Sequence, residues 1–199
     1  MREAREKIVS RRALKGKVDS LKQAGKRVVF TNGCFDLLHV GHIRSLQKAR
    51  SRGDCLVVGI NSDSSVRQIK GPGRPIVPQK QRAEVLAALA CVDWVTIFDE
   101  ADPLALISLL VPDVLAKGAD WKEGEIVGAD MVRAVGGEVV RMDLVPGVST
   151  TGLLERIAAG FLAKREGGPV DEASDSEPRA DAGSRGRGGA SMVNLWDTD

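Results

Sequence analysis

The sequence predicts an α/β protein centred on a five-stranded parallel sheet. Short apolar segments rich in β-branched residues alternate along the chain with segments of helical periodicity. This alternation favours parallel strands that are joined by right-handed helical crossovers. The predicted strands are Val28–Phe30, Asp54–Ile60, Val92–Phe98, Asp113–Lys117 and Glu138–Met142. We therefore expect a Rossmann-like, doubly wound sheet with strand order 3-2-1-4-5 and helices on both faces.

The segments between these strands are predicted to be helices that bury one apolar face. The predicted helices include 41–52, 79–90 and 127–135. A short helix is capped by 61–63 and ends at Ile69, another begins at Pro103, and the last runs from Ser149 to near Leu162. From the helix 79–90, Val85, Leu86 and Leu89 are expected to face inward. One or two amphipathic helices are also expected before residue 25, with their many cations on a solvated face.

Composition places the chain among soluble globular proteins. Hydrophobic residues make up 43% and charged residues 28% of its 199 residues. No apolar run approaches the roughly 20 residues of a membrane span, and the charged segment 1–12 does not resemble a secretory signal. The three cysteines lack Cys-x-x-Cys spacing, which predicts neither a disulfide framework nor a zinc site. A reducing cytoplasm is the compartment we expect.

The chain is expected to have three parts: an N-terminal helical extension at 1–24, a catalytic domain at 25–165 and a disordered tail at 166–199. Residues 167–199 have a net charge of −4, so residues 1–166 carry +6 of a chain whose net charge is +2. A mildly basic domain suits an anionic small molecule. Nucleic acid is not an expected partner, because aromatic content is 4% and no dense stripe of Lys and Arg is present.

One segment, 28–42, combines a predicted strand, a turn and a helix start that carries both histidines of the chain. Gly33 is expected to let the backbone turn and approach a ligand. His39 and His42 are three residues apart and should project from one side of the helix entrance, where Gly41 leaves room. A helix N-terminus attracts anions through its free N–H groups and its dipole. Two histidines added there indicate a site for phosphate chemistry.

Several other polar segments are predicted to reach the same place. In doubly wound sheets, ligands bind beyond the carboxyl ends of the strands, at the point where the strand order reverses. The polar segments 33–42, 61–63, 118–121 and 148–151 all follow predicted strands. The sequence therefore predicts that these four segments converge on one site.

The motif itself resembles that of a known superfamily. Residues 33–42 resemble the HxGH signature of nucleotidyltransferases, in the Phe-Asp-Leu-Leu-His form of the cytidylyltransferase-like branch. Further segments, in the same order along the chain, resemble the D-glycero-D-manno-heptose 1-phosphate adenylyltransferase domain of the ADP-heptose synthase family. These segments are 31–36, 70–75, 92–95, 112–118, 136–139 and 149–151. The resemblance covers roughly residues 25–160.

This resemblance implies an enzyme that transfers AMP from ATP to heptose 1-phosphate and releases pyrophosphate. The product, ADP-heptose, would feed lipopolysaccharide or another heptose-containing glycan. A phosphate monoester is largely dianionic at neutral pH, so positioning and electrostatics are expected to carry the catalysis. Mg²⁺ is expected on the triphosphate itself, because no cage of carboxylates is visible in the sequence. The resembling family commonly forms dimers, so a homodimer is expected.

The resemblance also assigns roles to the residues that match its motifs. His39 and His42 are expected to donate hydrogen bonds around the transferring phosphorus, and Lys70 to neutralise phosphate charge. The nucleotide-binding residues it implies are Gly33, Cys34, Phe35, Gly41, Lys117, Gly118, Asp120, Trp121, Ser149, Thr150 and Thr151. The substrate-binding residues it implies are Asp36, Asn61, Arg74 and Arg82, and Asp36 could instead orient a loop.

Some alternatives stay open. Ser149 could serve only as a helix cap, and Trp121 could serve only in packing. The chain has Gly118-Ala119-Asp120 where the family commonly has Gly-Gly-Asp, and the extra methyl could tighten a backbone contact with the nucleotide. The nearest rival is a cytidylyltransferase for glycerol 3-phosphate or ethanolamine phosphate. The segment 144–147 argues against glycerol phosphate, because it lacks the arginine that such enzymes place before the Ser-Thr-Thr loop. A binding protein without turnover is the other rival.

Overall fold

The central feature of the molecule is a five-stranded sheet in the order β3-β2-β1-β4-β5, in which every neighbouring pair is parallel. The computed structural model describes residues 3–118, 123–143 and 145–165. The strands are β1 (Val28–Gly33), β2 (Cys55–Asn61), β3 (Trp94–Phe98), β4 (Val114–Gly118) and β5 (Glu138–Met142). The predicted fold class and strand order are confirmed.

The register of β1 shows where the sheet opens. β1 pairs with β2 along its whole length, from Val28 opposite Cys55 to Gly33 opposite Ile60. Its pairing with β4 is confined to Val29 and Phe30. Beyond Phe30 the two strands separate, so the crevice lies between the carboxyl ends of β1 and β4. This is the point where the strand order reverses, and ligands bind at such points in doubly wound sheets.

Helices cover both faces of the sheet. They are α1 (Arg11–Gln23), α2 (Val40–Arg50), α3 (Asp63–Lys70), α4 (Gln79–Ala88), α5 (Leu104–Leu110), α6 (Ala129–Ala134) and α7 (Thr150–Arg165), with 3-10 turns at Ala4–Lys7 and Glu123–Glu125. Apolar residues of α2 and α4 form one core with one face of the strands, and those of α1, α5 and α6 form a second core with the other face. The two cores are separate because side chains along a strand point alternately to opposite faces of the sheet. In β1, Val29 belongs to the first core, while Val28 and Phe30 belong to the second.

Two sequence-based expectations about individual residues are wrong. Val85 is 51% exposed, although we expected it to face inward from α4. The buried side of that helix contains Arg82, Ala83, Leu86 and Ala87. The buried face of α4 therefore differs from the predicted one, and it includes the charged residue Arg82.

The second correction concerns the turn after β1. Gly33 is the last residue of the strand and does not have a positive φ, whereas Phe35 has φ 45°. The backbone therefore takes the left-handed conformation at Phe35, two residues after the glycine at which we expected the turn. A Cβ added to Gly33 would lie 3.2 Å from the Phe35 ring, so the glycine leaves room for this aromatic side chain.

The N-terminal segment packs onto the sheet. Leu14 and Val18 of α1 are fully buried in the second core. Lys7 donates hydrogen bonds to the carbonyls of Leu89 (3.2 Å) and Val92 (2.9 Å), and Arg11 forms an ion pair with Glu100. These cations hold the segment 3–11 against the β3 edge instead of forming only a solvated face.

By their internal contacts, residues 1–159 form one compact unit and residues 160–199 a second, of which 160–165 are described as the end of α7. The tail predicted at 166–199 lies outside the described residues. The predicted boundaries at 24/25 and 165/166 stay predictions. No helix in the described part of the chain has the length and apolar character needed to cross a membrane.

Candidate active site

The loop between β1 and α2 places two imidazole rings against each other. His39 is the N-cap residue of α2 and His42 lies in its first turn. Their ring centroids are 3.8 Å apart and the planes make an angle of 23°, so the rings are stacked. The ring of Phe35 packs beside His42 at 5.4 Å between centroids. The predicted projection of both histidines from one side of the helix entrance is therefore confirmed.

Gly41 makes this stack fit. A Cβ added to Gly41 would lie 3.0 Å from both Cε1 and Nδ1 of His39, which is closer than such contacts ordinarily come. The expectation that Gly41 leaves room at the helix entrance is confirmed. Its contact with a nucleotide stays a prediction.

Both histidines are held neutral at pH 7. Burial, and then the charge of His39, lower the pKa of His42 from 6.5 to about 4. Burial also lowers the pKa of His39. The backbone N–H of His39 donates a long hydrogen bond of 3.4 Å to Nδ1 of His42. Because Nδ1 accepts this bond, the proton of the neutral His42 ring is on Nε2, where it can be donated to a ligand.

His39 contributes a poorly satisfied group. Its Nδ1 atom is buried and faces the backbone N–H of His42, but among the residues that the structure describes no hydrogen bond of normal geometry forms to it. Buried polar atoms are nearly always paired in folded proteins, and an exception indicates a place where a ligand or water completes the set. The pair therefore offers polar nitrogen atoms at the positive end of a helix.

Asp36, three residues before His39, is a buried carboxylate that binds the segment after α3. Its side chain is 1% exposed and accepts hydrogen bonds from the backbone N–H of Ile76 (2.9 Å) and Val77 (2.9 Å) and from Nε of Arg74 (2.7 Å). Burial by itself would raise its pKa, but the bonds from Val77, Ile76 and Arg74 outweigh burial and leave the pKa lowered. Asp36 is therefore ionised at neutral pH.

Arg82 is the buried charge of α4. Its side chain is fully buried and donates hydrogen bonds to three main-chain carbonyls and to one oxygen of Asp63 (2.8 Å). The three carbonyls belong to Val77 (2.9 Å), Cys34 and Asn61 (2.8 Å). These bonds tie together the loop after β1, the end of β2 and the segment after α3. A contact between Arg82 and substrate stays a prediction. In the described geometry the guanidinium binds main-chain carbonyls and Asp63.

Lys70 is exposed at the C-terminal end of α3. Burial raises the pKa of the Cys34 thiol, while the charges of Lys70, Arg82 and Arg74 act in the opposite direction. Lys70 is therefore close enough to the loop after β1 for its charge to act there. The structure brings it to the same edge of the sheet as the histidines.

Across the crevice, Lys117 of β4 donates a hydrogen bond to the side-chain oxygen of Asn32 on β1. Lys117 is buried, and Gly118 ends β4 opposite Met142. The side chain of Asn61 lies elsewhere: it donates to Ser65 (2.9 Å) and to the carbonyl of Glu100 (3.5 Å). The predicted ligands Asp120 and Trp121 lie outside the described residues.

The N-terminus of α7 lies beside the histidine loop. The hydroxyl of Thr150 donates to the carbonyl of Leu37 at 3.3 Å. Ser149 caps the helix, since its Oγ accepts a bond from the backbone N–H of Gly152 at 3.0 Å. The capping role that we left open for Ser149 is thus present, and Ser149 and Thr151 are both exposed. Two helix N-termini, those of α2 and α7, meet at this edge and favour an anion.

Sequence reasoning missed three partners of the predicted residues. The side chains of Asn32 and Asp63 and the main chain of Val77 hold predicted residues in place, and none of the three was assigned that role. Asn32 could have been found, because it lies inside the Thr31–Asp36 motif, whereas nothing in the sequence marks Val77. A cavity of about 520 Å³ lies at the amino ends of β2 and β3 and is lined by Lys17 and Trp94. It is therefore remote from the histidines.

Comparison with known proteins agrees with this arrangement. Residues 30–155 match the model of the cytidylyltransferase-like family. The chain is 54% identical over 151 residues to the bifunctional protein HldE of Syntrophotalea carbinolica, an alignment that covers 76% of this chain and 31% of that protein. The bifunctional protein HldE of Mesorhizobium japonicum is 57% identical over 143 residues, with 72% and 29% covered. The chain thus spans about a third of the length of these curated relatives.

A solved structure is similar as well. The lipopolysaccharide core biosynthesis protein from Thermoplasma volcanium GSS1 superposes with a TM-score of 0.53 and 29% identity, and the match covers 61% of this chain and 99% of that chain. Because the family model covers more than half of the sequence, including the whole histidine loop, this chain belongs to the cytidylyltransferase-like family.

Proposed function

We propose that this protein transfers AMP from ATP to D-glycero-D-manno-heptose 1-phosphate, which gives ADP-heptose and pyrophosphate. The observation that carries the proposal is the stacked, neutral pair of His39 and His42 at the N-terminus of α2, beside the N-terminus of α7. The ordered motifs that resemble heptose 1-phosphate adenylyltransferases support the choice of substrates. The structural neighbour, a lipopolysaccharide core biosynthesis protein, supports a role in making a heptose-containing glycan.

The proposed reaction needs little help from a base. A phosphate oxygen of the sugar 1-phosphate attacks the α-phosphorus of ATP and forms a new O–P bond. The bond from the α-phosphorus to the bridging oxygen breaks, and pyrophosphate leaves with the electron pair. Because the attacking phosphate is already largely dianionic at neutral pH, catalysis consists of bringing two anions together and stabilising the charge that develops.

The histidines suit this task because they are neutral donors. The Nε2–H of His42 would donate to an oxygen of the transferring phosphoryl group, and the N-terminus of α2 would add its dipole. An anion close to the rings would raise their pKa values, since it favours the protonated form. The same pair can therefore become more positive as negative charge develops.

The leaving group and the sugar phosphate would be met by other groups at the same edge. Ser149, Thr150 and Thr151 at the start of α7 are proposed to bind the β- and γ-phosphates, with the free N–H groups of that helix. Lys70, exposed at the end of α3, is proposed to neutralise phosphate charge, with Arg74 as a second cation. The backbone of Gly33 to Phe35 is proposed to contact the nucleotide.

The base of the nucleotide is proposed to lie over the end of β4. Lys117 and Gly118 belong to that end, with Asp120 and Trp121 as further proposed ligands. Lys117 is already anchored to Asn32, so its position relative to β1 is fixed before a ligand arrives. The proposal is supported by the register of the sheet, since the pairing of β1 with β4 ends at Phe30, before the end of β4.

Mg²⁺ is proposed to arrive with the triphosphate. Over residues 3–118, 123–143 and 145–165, no group of three His, Cys, Asp or Glu side chains is placed to hold a metal ion. The residues described do not fit a protein-held magnesium site, and the phosphate oxygens would supply the ligands. When bound there, the ion neutralises part of the phosphate charge.

We further propose that the chain acts as a homodimer in the cytoplasm, where its nucleotide substrate is made. Ile157 and Phe161 lie one turn apart on α7 and are 53% and 70% exposed. Exposed apolar residues at this spacing favour association through a helix face. Light scattering coupled to gel filtration tests the proposal, and a monomeric mass at micromolar concentration would contradict it.

The experiment that tests the function is a panel of ATP, GTP and CTP against heptose 1-phosphate, glycerol 3-phosphate and ethanolamine phosphate. Pyrophosphate release is the measurement. We expect the highest kcat/KM for ATP with heptose 1-phosphate. Highest activity with CTP and one of the two small phosphates would replace the proposal by the cytidylyltransferase alternative, and binding of ATP without release would leave only a nucleotide-binding protein.

A further inference from the structure

We propose that Asp36 and Arg82 are positioning residues, which together clamp the segment 74–77 and so hold the loop that begins at Lys70 beside the loop that carries the histidines. This inference rests on the proposed function of the site. Sequence resemblance implied a contact with substrate for Arg82, and either the orientation of a loop or a contact with the sugar phosphate for Asp36. The two residues come from different elements, the loop after β1 and helix α4.

The clamp closes on a single residue. The backbone N–H of Val77 donates to Asp36 at 2.9 Å, and the backbone carbonyl of Val77 accepts from Nε of Arg82 at 2.9 Å. Asp36 holds the neighbouring N–H of Ile76 as well. Both main-chain groups of Val77 are therefore bound by side chains of opposite charge, which fixes its position relative to β1 and α4.

Arg82 has almost no donor left for a ligand. A guanidinium has five N–H donors, and four of them are used by Val77, Cys34, Asn61 and Asp63. The side chain is fully buried, so the remaining donor does not face solvent. Removing the guanidinium would take away its bonds to three buried or partly buried carbonyls and leave Asp63 with its bond from the backbone N–H of Gln79, and losing such bonds to buried groups is costly.

Asp36 is unsuited to contact a phosphate. Its carboxylate is buried and ionised, and a negative charge repels a phosphate group. Its oxygens are used to accept main-chain and Arg74 donors. Only Nε of Arg74 is engaged by Asp36, so its terminal nitrogens remain available to an anion. Asp36 thus orients cations without touching the substrate itself.

The stretch that follows Lys70 has little packing of its own. Gly71 and Gly73 have φ values of 88° and 85°, and a Cβ at either position would meet nothing within 4 Å. The stretch is held at its start by α3 and next by the clamp at residues 76 and 77. The position of the loop that Lys70 begins is therefore decided by Asp36 and Arg82.

The test is a double-mutant cycle between Asp36→Asn and Lys70→Ala, with pyrophosphate release as the assay. Asp36→Asn should lower kcat/KM by about 10²-fold, as expected for a misplacement of about 1 Å. In the Lys70→Ala background the same change should cost less than about threefold, because residues that act as one unit are not additive. Costs that multiply independently would overturn the proposal. Asp130→Asn, which removes an equal charge from a fully exposed site, is the matched control.

Two further measurements keep the inference separate from folding and from the proposed function. Amide exchange in Asp36→Asn should rise at least tenfold in peptides spanning 71–78 and stay unchanged in β1 and β2; unchanged exchange at 71–78 would overturn the clamp. The exchange measurement does not depend on which substrates the enzyme uses.

An Arg82→Gly variant should regain activity with added methylguanidinium, and a folded variant that is not rescued would count against the role of Arg82.

Discussion

The imidazole rings of His39 and His42 stack 3.8 Å apart at the first turn of α2, and the missing side chain of Gly41 makes room for them. This stacking determines the protonation state of the two histidines. Two stacked imidazoles that are partly desolvated resist protonation, so the histidine pair itself is neutral at pH 7 where an anion is expected to bind. The pair is expected to become protonated only when phosphates bind beside it, because a nearby anion favours the charged form.

Replacing His42 by Ala should lower kcat by about 10² to 10³-fold, the usual cost of losing one donor to a developing oxyanion. The binding of ATP should change much less, because the helix N-termini remain. Steady-state pyrophosphate release and ATP titration measure the two effects. Gln47→Ala, an exposed change on the same helix, should leave both unaffected. A folded His42→Ala enzyme with unchanged turnover would remove His42 from the mechanism.

Acidification should destabilise the protein through His42. Its pKa is 6.5 in the unfolded chain and about 4 in the folded one, so above pH 6.5 both states are neutral. As the pH falls below 6.5 the unfolded state takes up the proton first, and stability is lost until the folded state is protonated near pH 4. Urea unfolding of wild type and His42→Gln at pH 7 and at about pH 5 measures this. The variant should lose less stability between these values, and an equal loss would contradict the lowered pKa.

Gly41→Ala should reduce turnover without unfolding the protein. The added Cβ would lie 3.0 Å from two atoms of the His39 ring, so the ring must shift by a few tenths of an ångström. We expect kcat to fall about tenfold, since a shift of 1 Å costs about 10²-fold. Gly16→Ala on α1, where nothing lies within 4 Å, should instead raise stability slightly and leave kcat alone. Equal kinetics of the two variants would show that the stack is not needed.

Lys70→Ala should raise the KM for the sugar phosphate or slow the chemical step, because an exposed cation at the site edge is lost. The effect should shrink as salt is added, since screening weakens such interactions. Lys80→Ala removes an exposed lysine from α4 and serves as the control. If both variants behave alike in initial-rate assays, Lys70 has no special role.

Leu14→Ala should destabilise the fold by about 2–5 kcal/mol, the range for a large-to-small change in a packed core. Leu14 is fully buried between α1 and the sheet, although it lies in the part of the chain that we expected to be an extension. Chemical denaturation measures the change, and Ala13→Gly on the same helix reports the cost of helix propensity alone. A loss below about 1 kcal/mol would mean that the segment 11–23 docks weakly.

The sequence indicated where the site lies because strand ends and phosphate-binding segments have local signals. His39 and His42 were marked by spacing, and Ser149 by its position before a helical segment. The sheet order followed from alternation of strands and helices, since parallel strands need crossovers. Such signals concern residues that are neighbours in the chain, and one sequence is enough to see them.

Other features depended on partners that are distant in the chain. Val85 was expected to face inward from α4 and is exposed, whereas the charged residue Arg82 lies on the buried side of that helix. The reason is that Arg82 satisfies main-chain carbonyls of Cys34 and Asn61, and carbonyls have no sequence signature. The left-handed backbone at Phe35 was hidden in the same way, because an aromatic residue there is unusual.

The sequence by itself therefore determined the class of fold and the strand order, and it predicts the edge of the sheet at which a phosphate ligand binds. Only the tertiary structure decided which main-chain groups the charged side chains hold. The N–H groups of Ile76 and Val77 lie 40 and 41 residues from Asp36, and the carbonyl of Cys34 lies 48 residues from Arg82. Physical proximity of main-chain donors and acceptors is a property of the folded chain, and composition and spacing do not contain it.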